Sequence, residues 1–140
     1  MALESSAVAH WEGDLMTGSG TTTLTSGAGG PFPVDWKARS EDHGGKTSPE
    51  ELIAAAHAAC FSMALSNGLG KAGTPPDHLD VTATATFVPG AGITSMVLVL
   101  SGSVPGLSDD EFRAAAEGAR DNCPVSKALA GNVPVTLEIR

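Results

Sequence analysis

The sequence has few aromatic residues, no Tyr and only two Cys. Aromatic residues make up 4% of its 140 positions, although hydrophobic residues of all kinds make up 41%. A core built from this composition must be packed mainly with aliphatic side chains. The length is typical of one compact domain and too short for two ordinary enzyme domains, so we expect a single domain over residues 1–140.

Basic residues are also scarce. Eight Lys and Arg residues stand against sixteen Asp and Glu residues, which gives a formal net charge of -8. The basic residues are scattered singly, so no cluster of them can neutralise a run of phosphates or hold an anionic membrane surface. We therefore expect neither a nucleic-acid partner nor a membrane partner.

Signals for export and membrane insertion are missing from the sequence. Residues 1–15 lack the basic opening and the unbroken apolar stretch of a signal peptide. No later run approaches the roughly 20 apolar residues that span a bilayer, which predicts a cytoplasmic protein. In a reducing compartment two Cys residues are usually free thiols, so we expect any disulfide between them to be transient.

Patterns that would hold a metal or a nucleotide are absent. His10, His43 and His78 lie in different segments without ligand spacing, and the sequence contains no Cys-x-x-Cys pair. The glycines match neither the Rossmann nor the Walker pattern. We expect no metal and no cofactor.

Six segments have the short alternating or β-branched pattern of strands, and Gly-rich or Pro-rich turns separate most of them. They are residues 7–11, 21–25, 33–36, 79–88, 93–104 and 133–139. The turn at residues 89–92 predicts that the fourth and fifth strands form a long antiparallel hairpin.

Two segments are typical of long helices. The first has Ser48 as its N-cap and Pro49 at its first helical position, and it continues to Leu65 before glycines from Gly68 onward end it. It is Ala-rich and almost uncharged on every face, which predicts a helix buried on all sides. The second helix covers residues 108–122. Strands and helices in this order indicate an α+β fold.

The two Cys residues have different local settings. Cys60 lies inside the apolar helix, where desolvation raises the pKa of a thiol unless a positive charge is near. By itself this setting favours a packed apolar side chain. Cys123 precedes Pro124, so it either starts a short helix whose amides favour a thiolate or serves as an ordinary capping residue. His57 lies near Cys60 on the helix, and we favour a packing role over that of a base.

Three segments of the chain resemble the OsmC branch of the OsmC/Ohr peroxidases. They are HWEGD at residues 10–14, SPEELIAAAHAACFSMAL at residues 48–65 and NCPVSKAL at residues 122–129. The segments are spread from one end of the chain to the other, so the resemblance covers essentially all of it. It implies an OsmC-like α+β fold in which antiparallel sheets wrap around two long buried helices in an intertwined homodimer.

The same resemblance implies a cysteine-based peroxidase and gives roles to four residues. Cys60 matches the peroxidatic cysteine, which would become a sulfenic acid, and Cys123 matches the resolving cysteine, which would form a disulfide with it. Arg39 and Glu50 match the polar partners of the site. A guanidinium can stabilise the thiolate, and a carboxylate can orient the guanidinium. A solvated loop position is the alternative for Arg39.

The spacing of Glu50 and Cys60 bears on how these residues meet. On one continuous helix they lie about 15 Å apart along the axis, which is too far for both to touch one small substrate. Antiparallel packing of this helix from two chains would bring Glu50 of one chain to Cys60 of the other. We therefore predict active sites shared across a C2 homodimer.

The substrate class is predicted from the residues near Cys60, and the class of reductant from the proposed disulfide and the resemblance. Phe61, Met63 and Leu65 offer an apolar wall near Cys60, which favours organic hydroperoxides over hydrogen peroxide alone. An external dithiol must then reset the disulfide. The resemblance implies a lipoylated protein as this dithiol, and a thioredoxin is the alternative. Two other functions fit the same residues: a redox-sensing or hydrophobic-ligand-binding dimer without turnover, and a structural dimer with buried thiols.

Overall fold

The computed structural model describes all 140 residues, which form two compact units, residues 1–52 and residues 53–140. Each unit contains one three-stranded sheet. The α+β class with antiparallel sheets is confirmed, whereas the single domain over residues 1–140 stays a prediction. The elements are β1 (Ala7–Glu12), β2 (Ser19–Leu24), β3 (Phe32–Val34), α1 (Trp36–Ser40), α2 (Pro49–Lys71), β4 (His78–Val88), β5 (Gly92–Ser103), α3 (Asp109–Asn122), α4 (Pro124–Leu129) and β6 (Val135–Ile139).

The first unit is an antiparallel sheet followed by a short helix. Its strands lie in the order β1-β2-β3. The third strand ends at Val34, two residues earlier than predicted, because the Asp35 carboxylate accepts a hydrogen bond from the Ala38 N–H at 2.7 Å. This contact makes Asp35 an N-cap and begins α1, which the sequence pattern did not predict. Helix α1 carries Arg39.

The second unit is built on the β4–β5 hairpin. The two strands pair antiparallel as predicted, with Thr82 opposite Val99. Strand β6 then pairs parallel to β5, with Leu137 opposite Leu98, so one pair of this sheet is not antiparallel. Helices α3 and α4 connect β5 to β6, and a helical connection of this length is what a parallel pair requires.

Helix α2 is longer than its sequence predicts. Its N-terminus is as expected, because the Ser48 hydroxyl accepts a hydrogen bond from the Glu51 N–H at 3.1 Å. It passes through Gly68 and Gly70 and ends at Lys71. Each helical Gly costs about 1 kcal/mol relative to Ala, and burial of Leu69, which lies between the two, offsets part of that cost.

The core of the second unit lies between one face of α2, the sheet and α3. Its buried members are Phe61, Leu65, Leu69, Leu98, Leu100, Ala116, Ala119 and Cys123. The first three follow one another at four-residue intervals, so a single stripe of α2 faces this core. Phe61 directly follows Cys60, so the packing of this stripe holds α2 in place at the position of Cys60.

The opposite face of α2 is exposed in the single chain. Ala55 and Ala59 are exposed, and the Met63 side chain keeps 67% of its accessible surface. The prediction of a helix buried on all sides is therefore wrong for one chain, because one sheet can cover only one face of a helix. An apolar helix face remains uncovered.

Helix α2 is also the one helix long and apolar enough to cross a membrane by length and composition. The expectation that no run approaches that length is therefore wrong for this helix. Core helices of soluble proteins meet the same criterion of length and composition. Phe61, Leu65 and Leu69 are buried against the protein's own core.

Leu98 offers a test of this core. It is fully buried in β5 at the centre of its sheet, so Leu98→Ala is expected to lower the free energy of unfolding by about 3 kcal/mol. Urea unfolding at one fixed protein concentration measures the change. Val88→Ala, at a position that is 41% exposed, is the matched control and should change stability by less than about 1 kcal/mol. Equal losses in both variants would contradict the packing.

Candidate active site

The two thiols meet in the second unit. Cys60 lies in α2, and Cys123 lies between α3 and α4, where it ends one helix and caps the next. Their sulfur atoms are 3.0 Å apart although 63 positions separate them in sequence, and both are free thiols. A disulfide requires about 2.05 Å, so roughly 1 Å of further approach would join them.

The surroundings of Cys60 disfavour its thiolate. Burial, and after it the hydrogen bond with Cys123, raise the pKa of the Cys60 thiol, although the backbone N–H of Val125 acts in the opposite direction. This agrees with the expectation that a thiol inside an apolar helix needs a positive charge to become a nucleophile at neutral pH.

The surroundings of Cys123 favour its thiolate. Burial is the largest single influence and raises its pKa, but the hydrogen bonds to the sulfur together outweigh it, so the pKa of Cys123 is lowered. They come from the Cys60 thiol, from the backbone and hydroxyl of Ser126, and from the backbone of Val125. A thiol of lower pKa is a better leaving group in thiol–disulfide exchange.

A groove of about 720 Å³ runs between α2 and α3 and reaches Cys60. Its lining residues are Cys60, Met63, Ala64, Asn67, Gly68, Lys71, Ala114, Ala115, Gly118, Ala119, Asn122 and Pro124. Cys123 does not line the groove and is completely buried. The sulfur open to a small molecule is therefore that of Cys60.

The residues that line this groove correct the prediction of an apolar wall near Cys60. Phe61 and Leu65 are buried in the core and face away from it, so their part of the prediction is wrong. Met63 does line the groove, together with Ala64. Residues three and four positions beyond Cys60 share its face of the helix, whereas Phe61 and Leu65 belong to the core-facing stripe.

Arg39 and Glu50 form an ion pair in the first unit. The Arg39 Nη2 and Nε groups donate hydrogen bonds to Glu50 Oε1 at 2.8 and 3.0 Å, and Nε also lies 3.3 Å from Oε2. Glu50 is buried, whereas about a third of the Arg39 side chain is exposed. Arg39 is thus held by a carboxylate and is not a freely solvated loop residue. The pairing fixes the plane of the guanidinium.

An apolar pocket of about 250 Å³ lies beside Arg39 in the first unit. It is lined by Trp11, Leu15, Val34, Asp35, Trp36, Arg39 and Pro49. Both Trp residues of the chain line this pocket. The guanidinium therefore borders an apolar surface that could cover an alkyl group.

His57 and Ser126 form a second polar contact near the thiols. His57 Nε2 and Ser126 Oγ are 2.7 Å apart, and both residues are buried. Burial lowers the pKa of His57, so the ring is neutral near pH 7. Ser126 is not among the site residues predicted from the sequence. Its signal was present in NCPVSKAL, where it follows Cys123 by three residues.

The structure therefore assembles the four predicted site residues as two pairs. The thiol pair lies in one compact unit and the Arg39–Glu50 pair in the other, with Glu50 at the start of α2. No group of three or more His, Cys, Asp or Glu side chains is arranged to hold a metal ion. Chemically, a thiol pair can undergo reversible oxidation to a disulfide, and a paired guanidinium can offer an oriented cation with hydrogen-bond donors.

Comparisons with known proteins bear on this arrangement. The chain is 39% identical to peroxiredoxin OsmC of Escherichia coli, over 100% of this chain and 99% of that protein. It is 35% identical to the organic hydroperoxide resistance protein OhrA of Bacillus subtilis, over 66% of this chain and 67% of that protein. The crystal structure of an organic hydroperoxide resistance protein from Elizabethkingia anophelis matches with a TM-score of 0.73 and 26% identity, over 99% and 98% of the two chains.

The sequence profile of the OsmC-like protein family matches residues 42–138. That range contains both thiols and Glu50, and it covers more than half of the chain. The full-length identity to the E. coli protein extends the likeness through Arg39 and the first sheet. This chain is a member of the OsmC-like protein family.

Proposed function

We propose that this chain is a thiol peroxidase that reduces organic hydroperoxides, with Cys60 as the attacking thiol and Cys123 as the resolving thiol. The observation that carries the proposal is the 3.0 Å contact between one sulfur open to a groove and one that is buried. Relatives named peroxiredoxin and organic hydroperoxide resistance protein support the same chemistry. Consumption of cumene hydroperoxide in the presence of dithiothreitol tests it.

The proposed reaction is a two-electron oxidation of the thiol pair. The Cys60 thiolate attacks the terminal peroxide oxygen, the O–O bond breaks, and the alkoxide leaves and takes up a proton to become an alcohol. Cys60 is then a sulfenic acid. The Cys123 thiolate attacks the Cys60 sulfur, the S–O bond breaks, and the hydroxide leaves and becomes water. The product is a Cys60–Cys123 disulfide.

Access, rather than pKa, decides which thiol attacks the peroxide. The pKa of Cys123 is lowered, but its sulfur is completely buried and does not border the groove. Cys60 borders the groove but has a raised pKa in the single chain. A cation is therefore needed to lower the pKa of the attacking thiol. No cation of its own unit is among the groups that shift the pKa of Cys60 in the single chain.

We propose that a second copy of the chain supplies this cation. The exposed face of α2, defined by Ala55, Ala59 and Met63, is apolar and has small residues that let another helix approach closely. Antiparallel packing of two α2 helices would bring the Arg39–Glu50 pair of one chain toward Cys60 of the other. The apolar pocket beside Arg39 would then cover the alkyl group of the peroxide.

A charge on this helix face tests the homodimer. Ala59→Glu is expected to raise the dimer dissociation constant by at least about a hundredfold, because an unpaired carboxylate in a dry interface costs several kcal/mol. Sedimentation velocity over a range of concentrations measures the change. Ala91→Glu, in the exposed turn between β4 and β5, is the matched control and should leave association unchanged. Unchanged association in both variants would contradict this interface.

The pH dependence of Cys60 gives a second readout of the shared site. Burial raises the pKa of Cys60 in the single chain, so its thiolate appears only above the ordinary thiol range and is lost as pH falls. A guanidinium from the partner chain would lower that pKa by about one unit or more. In a Cys123→Ser background, the rate at which iodoacetamide alkylates Cys60 should rise with pH. The midpoint of this rise should lie at a lower pH in the dimer than in the Ala59→Glu monomer. Equal midpoints would contradict the role of Arg39.

We further propose that a dithiol resets the enzyme in a reducing, cytoplasmic compartment. The dithiol attacks the open sulfur of Cys60, Cys123 departs as the thiolate that its surroundings favour, and the second thiol of the reductant releases Cys60. Lipoylated proteins and thioredoxins both carry such dithiols. Turnover rates with dihydrolipoamide and with reduced thioredoxin, each supplied alone, distinguish the two classes.

A further inference from the structure

The contact between His57 and Ser126 has no part in the chemistry proposed above. The two side chains are 69 positions apart in sequence, are both buried, and bring Nε2 and Oγ to 2.7 Å. The other ring nitrogen, Nδ1, is buried without a hydrogen-bond partner. The polar interaction of this buried ring is therefore directed to Ser126 alone.

This contact repeats the spacing of the thiol pair. His57 precedes Cys60 by three residues on α2, and Ser126 follows Cys123 by three residues on α4. Residues three apart are neighbours on one helix face, so two contacts lie one helical turn from each other, one at 2.7 Å and one at 3.0 Å. Both contacts join α2 to the segment that begins at Cys123.

We propose that His57 and Ser126 are positioning residues for disulfide formation: their hydrogen bond holds α4 against α2 and directs the Ser126 hydroxyl toward the Cys123 sulfur. Neither residue borders the groove that reaches Cys60, so neither touches the peroxide. The inference rests on the proposed function, because it concerns the resolving step of that reaction. It assigns a role to a buried histidine that otherwise has none, and it gives the Ser126 hydroxyl a role in the resolving step.

The direction of the hydrogen bonds follows from the single hydroxyl hydrogen of serine. If Ser126 donates it to the Cys123 sulfur, its oxygen accepts the Nε2–H of His57. Burial keeps His57 neutral, so the ring can carry its one proton on Nε2 and leave the lone pair on Nδ1. The lowered pKa of Cys123, to which the Ser126 hydroxyl contributes, is in keeping with this direction.

The step that the pair assists is balanced within the chain. The Cys123 thiolate attacks the sulfenic sulfur of Cys60, an S–S bond forms and the S–O bond breaks. The hydroxide that leaves takes a proton and becomes water. The peroxide has already supplied the oxidising equivalents, so no other oxidant is needed. Without the Ser126 hydroxyl, fewer Cys123 residues are thiolates and α4 is less firmly placed.

Ser126→Ala and Ser126→Thr form a matched pair for the test, since only the second keeps a hydroxyl. Each reduced protein is mixed with one equivalent of cumene hydroperoxide, and dimedone is added at successive times to trap the sulfenic acid. Mass analysis then measures the amounts of the dimedone adduct and of the disulfide at each time. In Ser126→Ala, disulfide formation should slow by roughly tenfold relative to sulfenic acid formation, and the sulfenic acid should accumulate. Ser126→Thr should stay within about threefold of wild type. An unchanged ratio in Ser126→Ala, or an equal slowing of both steps, would overturn the proposal.

A second measurement does not depend on peroxidase activity. With Cys60→Ser as background, the pH dependence of thiolate absorbance gives the pKa of Cys123, which Ser126→Ala and His57→Leu should raise by about half a unit to one unit. His57→Gln, whose amide can donate to Ser126, should restore most of the shift, and His78→Gln on exposed β4 should have no effect. An unmoved Cys123 pKa would refute the positioning role even if the wild-type protein proved inactive. Inactivity of the wild type would instead refute the proposed function.

Discussion

Cys60→Ser is expected to lower the rate of hydroperoxide reduction by at least about a thousandfold. A Ser hydroxyl is not a nucleophile toward peroxide at neutral pH, and losing the one attacking group of a catalytic unit removes most of its rate enhancement. Cys123 cannot replace it, because its sulfur is completely buried and does not border the groove. Stopped-flow consumption of cumene hydroperoxide measures the loss.

Cys123→Ser is the matched variant for this prediction, since the same sulfur-to-oxygen change is made 3.0 Å away. Without added thiol it should keep the first turnover, because Cys60 is intact, and should then stop at the sulfenic acid instead of the disulfide. The burst should equal about one peroxide for each chain. If Cys60→Ser retained activity, or if Cys123→Ser lost the burst, the assignment of the two thiols would be reversed or wrong.

Arg39→Met is expected to lower the rate of peroxide attack by about a hundredfold. The substitution keeps an apolar stem of similar length but removes the cation and the donors, and one lost donor in a catalytic site typically costs this much. It also leaves the buried Glu50 carboxylate without its partner, which should cost roughly 1–3 kcal/mol of stability because Arg39 itself is partly exposed. Rates must therefore be compared below the unfolding transition.

Lys37→Met is the control for this effect, because Lys37 lies two residues earlier in α1 and is exposed. Its rate should stay within about twofold of wild type, since an exposed charge away from the site contributes little. Glu50→Gln should have an intermediate effect of about tenfold, because it keeps one acceptor for the guanidinium. Equal rates for the Arg39 and Lys37 variants would remove Arg39 from the site.

Much of the fold follows from local sequence patterns. The long helix was predicted from Ser48 and Pro49 at its start, and the long hairpin from two alternating runs around a turn. Helix α1 was missed because it has only five residues, and a single side-chain contact from Asp35 begins it. The end of α2 was placed too early because the burial of Leu69 offsets part of the cost of the weak helix propensity of Gly68 and Gly70.

The candidate site was less predictable from local sequence. Spacing along the chain does not indicate that Cys60 and Cys123 meet, and only the resemblance to the family paired them. The apolar wall was partly misassigned because a helix that is apolar on every face has no periodicity to indicate which stripe packs. Phe61 and Leu65 proved to face the core. The Ser126 contact depends on how α4 lies against α2, and the local sequence shows only that Ser126 follows Cys123 by three residues.

Mass analysis of the wild-type protein after one equivalent of cumene hydroperoxide tests the central claim most directly. The proposed mechanism predicts that each chain loses two hydrogen atoms and that proteolysis releases one peptide pair joined through Cys60 and Cys123. Dithiothreitol should reverse the change. An unchanged mass with both thiols free would contradict the mechanism. So would oxygen added irreversibly to Cys60 without a disulfide, and a sensing or structural dimer would then be the better description.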